Sequence, residues 1–503
     1  MAVPLAVFAL GLGLLTRGAT DLWVQVLVHL LTVIAVIAAA SDPSTPGLRR
    51  GIVVLLVLVA LGDLWAAAPF SAGPPFSHSI DRGLLNDLNG LAFFFLFSLR
   101  TENRWEENLW RWTGPLLAVF ALPGLALFLL KRGGHPFGTL INSNVLAAAL
   151  LLAGPPSVAL WWKKWKPAGI ALAVLGLLLL ASTGSRAAAG AAVLGAVLYF
   201  SPPSRRWWAL AALAVIFGGI SLHYLDADRI GWWKSAVLML TKSEGVGPGA
   251  FGEAYPRYRA VSLGLNALFA HNFLLESAAE RGVLGALVFF ALPALALGRA
   301  FRNFDGASTR WKATAAGMTA FLAHSLLHVG FSIPGVSWLF WAAAGEWWGS
   351  GDPTVPMSRV GRAGSVVAAL AAGILSLRLY VGDEYLARAG TDLTDGNVPA
   401  ARVAVERGLR WNPREPELYS IEAAVLSSGG DWNAAYSNLH RAVRLAPASA
   451  RFRAETGEAA FRLGRREEAV RCYEEAVRLL PLNAKYPARL EELRRAEGGD
   501  VVN

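Results

Sequence analysis

A histidine at the end of a long polar segment is the residue best suited by type and position to catalysis. His271 ends a polar and aromatic loop of about 45 residues, 226–270, and is followed by Asn272. Imidazole titrates near neutral pH, so His271 is the strongest candidate for a general base. A lone histidine is more often structural. Glu276 and Glu280 follow at helical spacing and either orient His271 or cap the helix.

Two arginines, Arg186 and Arg229, are candidate anion ligands. Arg186 follows a Gly turn and precedes an apolar run. It is either an interfacial anchor or an anion ligand, because free N–H groups at a helix start also favour anions. Arg229 has the same two interpretations, and the structural one is a salt bridge to Asp226 or Asp228.

Aromatic and cationic residues alternate in the second half of the loop. Arg257 and Arg259 are flanked by Tyr255 and Tyr258. This pattern suits contacts to phosphate or stacking on sugars, since guanidinium groups form paired hydrogen bonds to phosphate oxygens. A solvated loop surface is an equally good explanation.

Polar residues next to later apolar runs complete the candidate site. His324 and His328 are four residues apart, but no acidic third ligand stands nearby, so a metal site is weakly supported. His324 can instead line an outer cavity, because polar groups inside a bilayer tend to mark functional paths. Asn144 lies where another span opens. With neither a P-loop nor a G-x-S-x-G elbow, we expect a site without metal or cofactor.

The composition is that of a polytopic membrane protein. The 503 residues are 54% hydrophobic and 16% charged, with 19 Trp and a mean hydropathy of +0.43. Cys472 is the only cysteine, which excludes a disulfide framework and a cysteine-based metal cluster. The net charge of +10 does not indicate nucleic-acid binding, because 18 Lys/Arg face 17 Asp/Glu between 384 and 497. The basic excess lies in short clusters between apolar runs, as in cytoplasmic loops.

Apolar runs predict an all-α polytopic bundle of about 12–13 transmembrane helices. The first run is interpreted as a span rather than a cleaved signal, since it lacks a basic region and a cleavage site. The runs are 2–15, 22–40, 51–68, 84–99, 115–130, 141–160, 168–182, 187–200, 207–225, 275–297, 313–330, 333–348 and 364–381. Basic clusters fall in alternate loops, which predicts a cytoplasmic N-terminus. The loop 226–270 and the C-terminal segment are then on the outer face.

The segment 384–497 repeats every 34 residues. Glycine recurs at 396, 430 and 464, alanine at 401, 435 and 469, and proline at 413, 447 and 481. This spacing is the tetratricopeptide pattern of paired helices, and it predicts an α-solenoid of about three repeats. The concave face of such a solenoid usually binds another protein or a glycan. A spacer or stabilising cap is the alternative.

Several stretches together resemble the O-antigen ligase and polymerase family. The similarity covers about residues 80–350 and is most specific between Arg229 and Gly285. The matching residues are Gly138-Thr139, Asn142–Asn144, Thr183–Arg186, Arg229 with Trp233, Gly245–Phe251, Tyr255-Pro256, His271–Leu274, Glu280–Gly285, His324–Leu326 and Ile333-Pro334.

The resemblance implies a glycosyltransferase domain over 1–381 in a bacterial inner membrane. It would move a glycan from undecaprenyl diphosphate to a lipid, protein or glycan acceptor on the outer face. Carried over by position, Arg186 and Arg229 would hold the diphosphate and His271 would activate the acceptor hydroxyl. A polymerase of lipid-linked units is the alternative within this class. A membrane scaffold that works through its repeats is the alternative outside it.

Overall fold

The fold comes from a computed structural model, which describes residues 2–42, 45–47, 75–99, 105–130, 140, 142–206, 208, 211, 226–243, 245–260, 266–349 and 355–499. Within these ranges the chain is helical apart from two short strands, β1 (Pro46–Gly47) and β2 (Val355–Pro356), which pair antiparallel. The all-α class predicted from the sequence is confirmed. The α-helices are α1 (Ala2–Leu15), α2 (Leu22–Ser41), α3 (Ser77–Ser98), α4 (Trp105–Leu129), α5 (Ser143–Lys164), α6 (Lys166–Ser182), α7 (Arg186–Phe200), α8 (Ala227–Ser243), α9 (Phe251–Tyr258), α10 (Phe273–Arg302), α11 (Thr309–Ser325), α12 (Pro334–Gly349), α13 (Arg359–Thr394), α14 (Val398–Trp411), α15 (Pro416–Ser428), α16 (Trp432–Leu445), α17 (Ala450–Arg462), α18 (Arg466–Leu479) and α19 (Lys485–Gly499).

Helix α12 is at the centre of the apolar part. Trp338 and Trp341 on this helix are fully buried, as expected for a helix that is apolar all round. Helix α3 packs closely along it through small residues. A Cβ atom on Gly90 would lie 2.6 Å from the ring of Trp341, and one on Gly345 would lie 2.2 Å from the carbonyl oxygen of Phe94. Larger side chains at these two positions would force the helices apart.

The described residues cover part of the predicted spans. Among the described residues, four helices, α2, α5, α10 and α13, are long and apolar enough to cross a membrane. Helices α1, α6 and α7 are apolar but shorter. The predicted run 51–68 and nearly all of 207–225 lie outside the described residues. The count of about 12–13 spans and their orientation therefore stay predictions.

The apolar part joins the repeats without a break. Helix α13 has 36 residues, so the predicted boundary between 381 and 384 falls inside one helix. Gly382 does not end the helix. It lets the first repeat approach, because a Cβ atom there would lie 2.6 Å from Cβ of Asn412.

The 34-residue period corresponds to consecutive helix pairs. The end of α13 pairs with α14, α15 with α16, and α17 with α18, and α19 packs on α18. The turn glycines Gly396, Gly430 and Gly464 have φ values of +77°, +83° and +76°, which side-chain-bearing residues rarely adopt. The periodic alanines at 401, 435 and 469 are buried where paired helices touch.

The predicted loop 226–270 is largely helical, which corrects the sequence interpretation. Helices α8 and α9 lie within it. The side chain of Asp226 accepts a hydrogen bond from the backbone N–H of Arg229 at 2.8 Å, so it caps the start of α8. Gly231, Ser235 and Met239 share the buried face of that helix. The capping aspartate and the buried positions four residues apart are both present in the sequence, but the polar residues around them obscure the helical period.

Candidate functional site

The backbone presents His271 in a strained conformation immediately before α10. Its φ is +55°, a left-handed value that costs a residue other than glycine roughly 1–3 kcal/mol. The imidazole stacks on the indole of Trp232 with 4.6 Å between ring centroids. Its Nδ1 is buried and has no hydrogen-bond partner among the described residues. Strain and an unsatisfied polar atom at one residue are typical of functional positions.

Two further histidines lie beside His271. The rings of His324 and His328 stack with their centroids 4.7 Å apart, and His328 meets His271 edge to face at 6.4 Å. Nε2 of His324 is 3.4 Å from Oγ of Ser185. Helices α7, α8, α10 and α11 therefore meet at one histidine cluster, defined here as His271, His324 and His328 with Trp232.

The charge of Arg229 acts on His271. Burial, and to a smaller extent the positive charge of Arg229, lower the pKa of His271 from 6.5 to about 4, against the opposing charge of Asp226. Arg229 lies 3.7 Å from the more exposed Asp226. His271 is therefore neutral near pH 7 and able to accept a proton.

The other predicted site residues at helix starts differ in exposure and in hydrogen bonding. Arg186 is the first residue of α7 and is exposed, one residue after Ser185, which caps that helix. Asn272 caps α10 by accepting the N–H groups of Leu274 and Leu275, so its side-chain oxygen is already used. Asn144 is half-buried in the first turn of α5.

An apolar groove runs along α8. It has a volume of about 590 Å³ and is lined mainly by Ile230, Trp233, Val237 and Leu275. Trp233 is the residue after the indole that stacks on His271. Arg229, at the start of α8, is next in the chain to a groove residue. Lys234 also lines the groove, so the arrangement combines two positive groups, one neutral imidazole and an apolar surface.

The structure places the aromatic and cationic pairs of α9 against the repeats. The guanidinium of Arg259 donates to the carbonyl of Leu479 at 3.2 Å and to Asn266 at 2.6 Å. Tyr255 is only 2% exposed and belongs to a hydrophobic core that also includes residues of α17 and α18. Tyr258 packs against the same core, and Arg257 is exposed. The prediction that these four residues bind substrate stays a prediction, with Tyr255 buried and Arg259 already bonded to the repeats.

The same position of each repeat contacts the rest of the molecule. The helices α14, α16 and α18 end at Trp411, Leu445 and Leu479, which are 34 residues apart. The backbone carbonyls of these three residues face other parts of the molecule. They accept hydrogen bonds from Arg378 Nε at 2.7 Å, Phe76 N at 2.6 Å and Arg259 Nη2 at 3.2 Å, respectively. We call this row the docking edge. Carbonyls at helix C-termini lack partners within the helix, so each repeat offers one acceptor at the same place.

Ion pairs reinforce the docking edge. Arg414, in the turn after α14, lies 3.1 Å from Asp81 on α3. Arg82, also on α3, lies 3.3 Å from Asp383 on α13. His78 on α3 lies 2.7 Å from Glu253 on α9, and this pair joins the two helices that face the repeats. The repeats are thus held against α3 and α9 by both backbone and side chains.

Metal binding is the other interpretation of the spacing of His324 and His328. Within the described ranges, no group of three His, Cys, Asp or Glu side chains could hold a metal ion. The rings of His324 and His328 stack face to face. The i, i+4 spacing that suits a metal in principle is used here for ring packing.

Comparisons with known proteins bear on the repeats. Residues 450–483 match the family model described as "Tetratricopeptide repeat". No curated protein matches the chain. A solved structure, "First TPR of Spaghetti (RPAP3) bound to HSP90 peptide SRMEEVD", covers 24% of this chain and 93% of its own at 22% identity, with a TM-score of 0.22. The matched residues 450–483 contain α17 and α18, so the chain contains a tetratricopeptide repeat at this place.

Proposed function

We propose that the protein is a membrane glycosyltransferase of the O-antigen ligase type. It transfers a glycan from undecaprenyl diphosphate to an acceptor hydroxyl on the outer face of a bacterial inner membrane. The observation that carries the proposal is His271: a neutral imidazole on strained backbone, with a buried nitrogen that no described residue satisfies, under the charge of Arg229. The resemblance of the segment from Arg229 to Gly285 to the O-antigen ligase and polymerase family supports undecaprenyl diphosphate as the carrier of the donor.

The proposed reaction is a single displacement at the anomeric carbon. His271 takes the proton of the acceptor hydroxyl while the hydroxyl oxygen forms the new glycosidic bond. The bond between the anomeric carbon and the diphosphate oxygen breaks, and undecaprenyl diphosphate leaves with the electron pair. Arg186 and Arg229 offset the negative charge that develops on the leaving group, since guanidinium groups bind phosphate oxygens in a fork.

The apolar groove along α8 supports a lipid-linked donor. Ile230, Trp233, Val237 and Leu275 present an apolar surface next to Arg229. An isoprenoid chain lying there would bring its diphosphate to the arginine end of the groove. A water-soluble sugar nucleotide would gain nothing from such a surface.

The repeats are proposed to bind a protein or glycan partner on the outer face. Tetratricopeptide solenoids use their concave surface for this purpose. The docking edge uses the turns that follow each helix pair, which leaves other surfaces of the repeats for a partner. A scaffold without catalysis would need the repeats but not the histidine cluster.

The test compares glycans in a deletion strain complemented with wild type, His271→Ala or His440→Ala. His440 is a partly exposed histidine on α16, and its variant controls for loss of any histidine. Protein levels are matched by immunoblot, and glycans are separated by length and anchor. Long chains that accumulate on the lipid carrier only in His271→Ala support a ligase.

Other outcomes distinguish the alternatives. Single repeat units on the carrier in His271→Ala would identify a polymerase that uses the same base. If His271→Ala matches wild type while loss of residues 395–503 abolishes function, the glycosyltransferase proposal is wrong and the repeats carry the activity.

A further inference from the structure

Two glutamates one turn apart on α10 bind different segments of the chain. Glu280 accepts the backbone N–H of Phe251 at 3.4 Å and pairs with Arg281 at 3.1 Å. Glu276 accepts the backbone N–H of Ala270 at 2.7 Å and the hydroxyl of Ser332 at 2.6 Å. Glu280 therefore holds the start of α9, whereas Glu276 holds the two segments that carry histidines.

The contacts of Glu276 fall on either side of the histidine cluster. Ala270 directly precedes His271, and Ser332 ends the 3₁₀ turn that begins two residues after His328. Glu276 is 7% exposed, so its hydrogen bonds are shielded from water and each is worth more than at the surface. One buried glutamate side chain thus links the residue before His271 to the loop that follows His328.

The strained backbone of His271 needs such a restraint. At φ +55° the residue would relax unless its neighbours were held. The oxygen of Asn272 accepts two N–H groups of α10 on one side, and Glu276 holds Ala270 on the other. The imidazole itself receives no hydrogen bond from Glu276, so any effect on it is transmitted through the backbone.

We propose that Glu276 is the positioning residue of the candidate site: by bridging Ala270 and Ser332, it holds His271 in its left-handed conformation against Trp232 and His328. This inference rests on the proposed function for its catalytic meaning. Its structural part, the orientation and access of the His271 ring, can be measured without any transfer reaction.

The experiment uses the full chain in lipid nanodiscs and diethyl pyrocarbonate as the probe. Carbethoxylation rates of His271 and His328 are measured by peptide mass spectrometry, with His440 as internal reference. Glu276→Leu removes both hydrogen bonds, and we expect the rate at His271 to rise about tenfold as the strained backbone relaxes. Glu276→Gln keeps the wild-type rate, because its amide accepts from Ala270 and donates to Ser332.

Transfer kinetics test the catalytic meaning of the same variants. In Glu276→Leu, kcat should fall about 100-fold while KM for the lipid donor stays within about twofold, because a misplaced base slows the chemical step. Glu276→Gln should restore kcat. Ser337→Ala is the matched control: its hydroxyl lines the same small cavity but bonds only the carbonyl of Pro334.

The outcomes separate this inference from the proposed function. An unchanged His271 rate in Glu276→Leu, or a Glu276→Gln that behaves like Glu276→Leu, overturns the positioning role. A raised His271 rate in a protein whose wild type transfers no glycan supports the positioning role and overturns the proposed function. If Glu276→Leu does not fold, Ser332→Ala tests the bridge from its other end: a faster reaction at His328 supports it, and an unchanged rate overturns it.

Discussion

The histidine cluster and the docking edge use their polar groups differently. At the docking edge, Arg414, Arg82 and Arg259 each have a charged or carbonyl partner in a distant part of the chain. In the cluster, His271 contacts its neighbours through ring faces, and its buried Nδ1 has no partner among the described residues. Buried polar groups are normally satisfied. At the docking edge, buried Nε and Nη1 of Arg259 and Oδ2 of Asp81 also have no partner among the described residues. The difference between the two regions is therefore the kind of contact: ion pairs and hydrogen bonds to distant segments at the docking edge, and ring stacking on strained backbone at His271.

The largest expected effect is the loss of the proposed base. His271→Ala should lower the rate of glycan transfer about 10³-fold, the contribution typical of a positioned general base. The rate is measured with full-length protein in nanodiscs and an undecaprenyl-diphosphate-linked donor. His440→Ala should leave it unchanged. Equal losses of transfer rate in His271→Ala and His440→Ala would show that the histidine cluster matters no more for the reaction than a histidine of the repeats.

The next effect concerns the charge of Arg229 and has a defined sign with pH. His271 acts as a base only when neutral, so wild-type activity falls as pH drops toward its pKa of about 4. Arg229→Gln removes a nearby positive charge, so the pKa rises and the acid limb of the kcat profile moves to higher pH. The rate at neutral pH should fall about 100-fold through weaker leaving-group stabilisation.

Arg229→Lys is the control for that experiment. Lysine retains the positive charge but lacks the planar guanidinium that bonds two phosphate oxygens at once. The acid limb of the kcat profile should therefore stay near its wild-type position while the rate of transfer still falls. An acid limb that is the same in Arg229→Gln as in wild type would show that the guanidinium does not act on His271.

A smaller effect is expected at the docking edge. Arg414→Ala leaves the buried carboxylate of Asp81 without its partner at 3.1 Å, which should lower the stability of the docked repeats by about 2 kcal/mol. The measurement is the urea concentration at which a protease cuts the repeats of the full chain. Arg407→Ala, at an exposed position on α14, is the control. Transfer rates in both variants should stay within about twofold of wild type, and a larger loss in Arg414→Ala would make the docking edge part of the catalytic site.

The smallest effect lies in the turn of the second helix pair. Gly430 has φ +83° and open space around it, so Gly430→Ala should cost about 1 kcal/mol from backbone strain alone. Its neighbour Gly429 has an ordinary φ of −86°, and Gly429→Ala should change stability by less than about 0.5 kcal/mol. Urea unfolding of the repeats in the full chain compares the two. Equal stabilities would show that the turn conformation contributes nothing.

The sequence predicted the candidate base and its cationic neighbour but not their surroundings. His271, Arg229 and His324 were singled out by residue type and by their place near apolar runs, and the structure brings His271 and His324 to one cluster around His328. Trp232 was visible only as part of the family-like stretch. Its stacking on His271 depends on the angle between α8 and α10, which no local pattern specifies.

The residues in and just after α9 show how packing can change the meaning of a sequence pattern. Tyr255 and Arg259 have the types expected of a sugar-phosphate site, yet Tyr255 is buried and Arg259 donates to a carbonyl of the repeats. Substrate binding by these two residues stays a prediction. Arg259 meets Leu479 across 220 residues of chain. Residue type predicts what a side chain can bind, whereas the packing of distant helices decides what it meets.

The repeats are the part that the sequence determined by itself. Glycine at the left-handed turns, alanine at the close contacts and a 34-residue period specify helix pairs through interactions between near neighbours. The placement of those pairs was decided by the tertiary structure, in which three carbonyls at one repeat position meet donors from α13, from the residue before α3 and from the end of α9. The division between histidine cluster and docking edge arises in the same way, because it depends on contacts between segments that are distant in the chain.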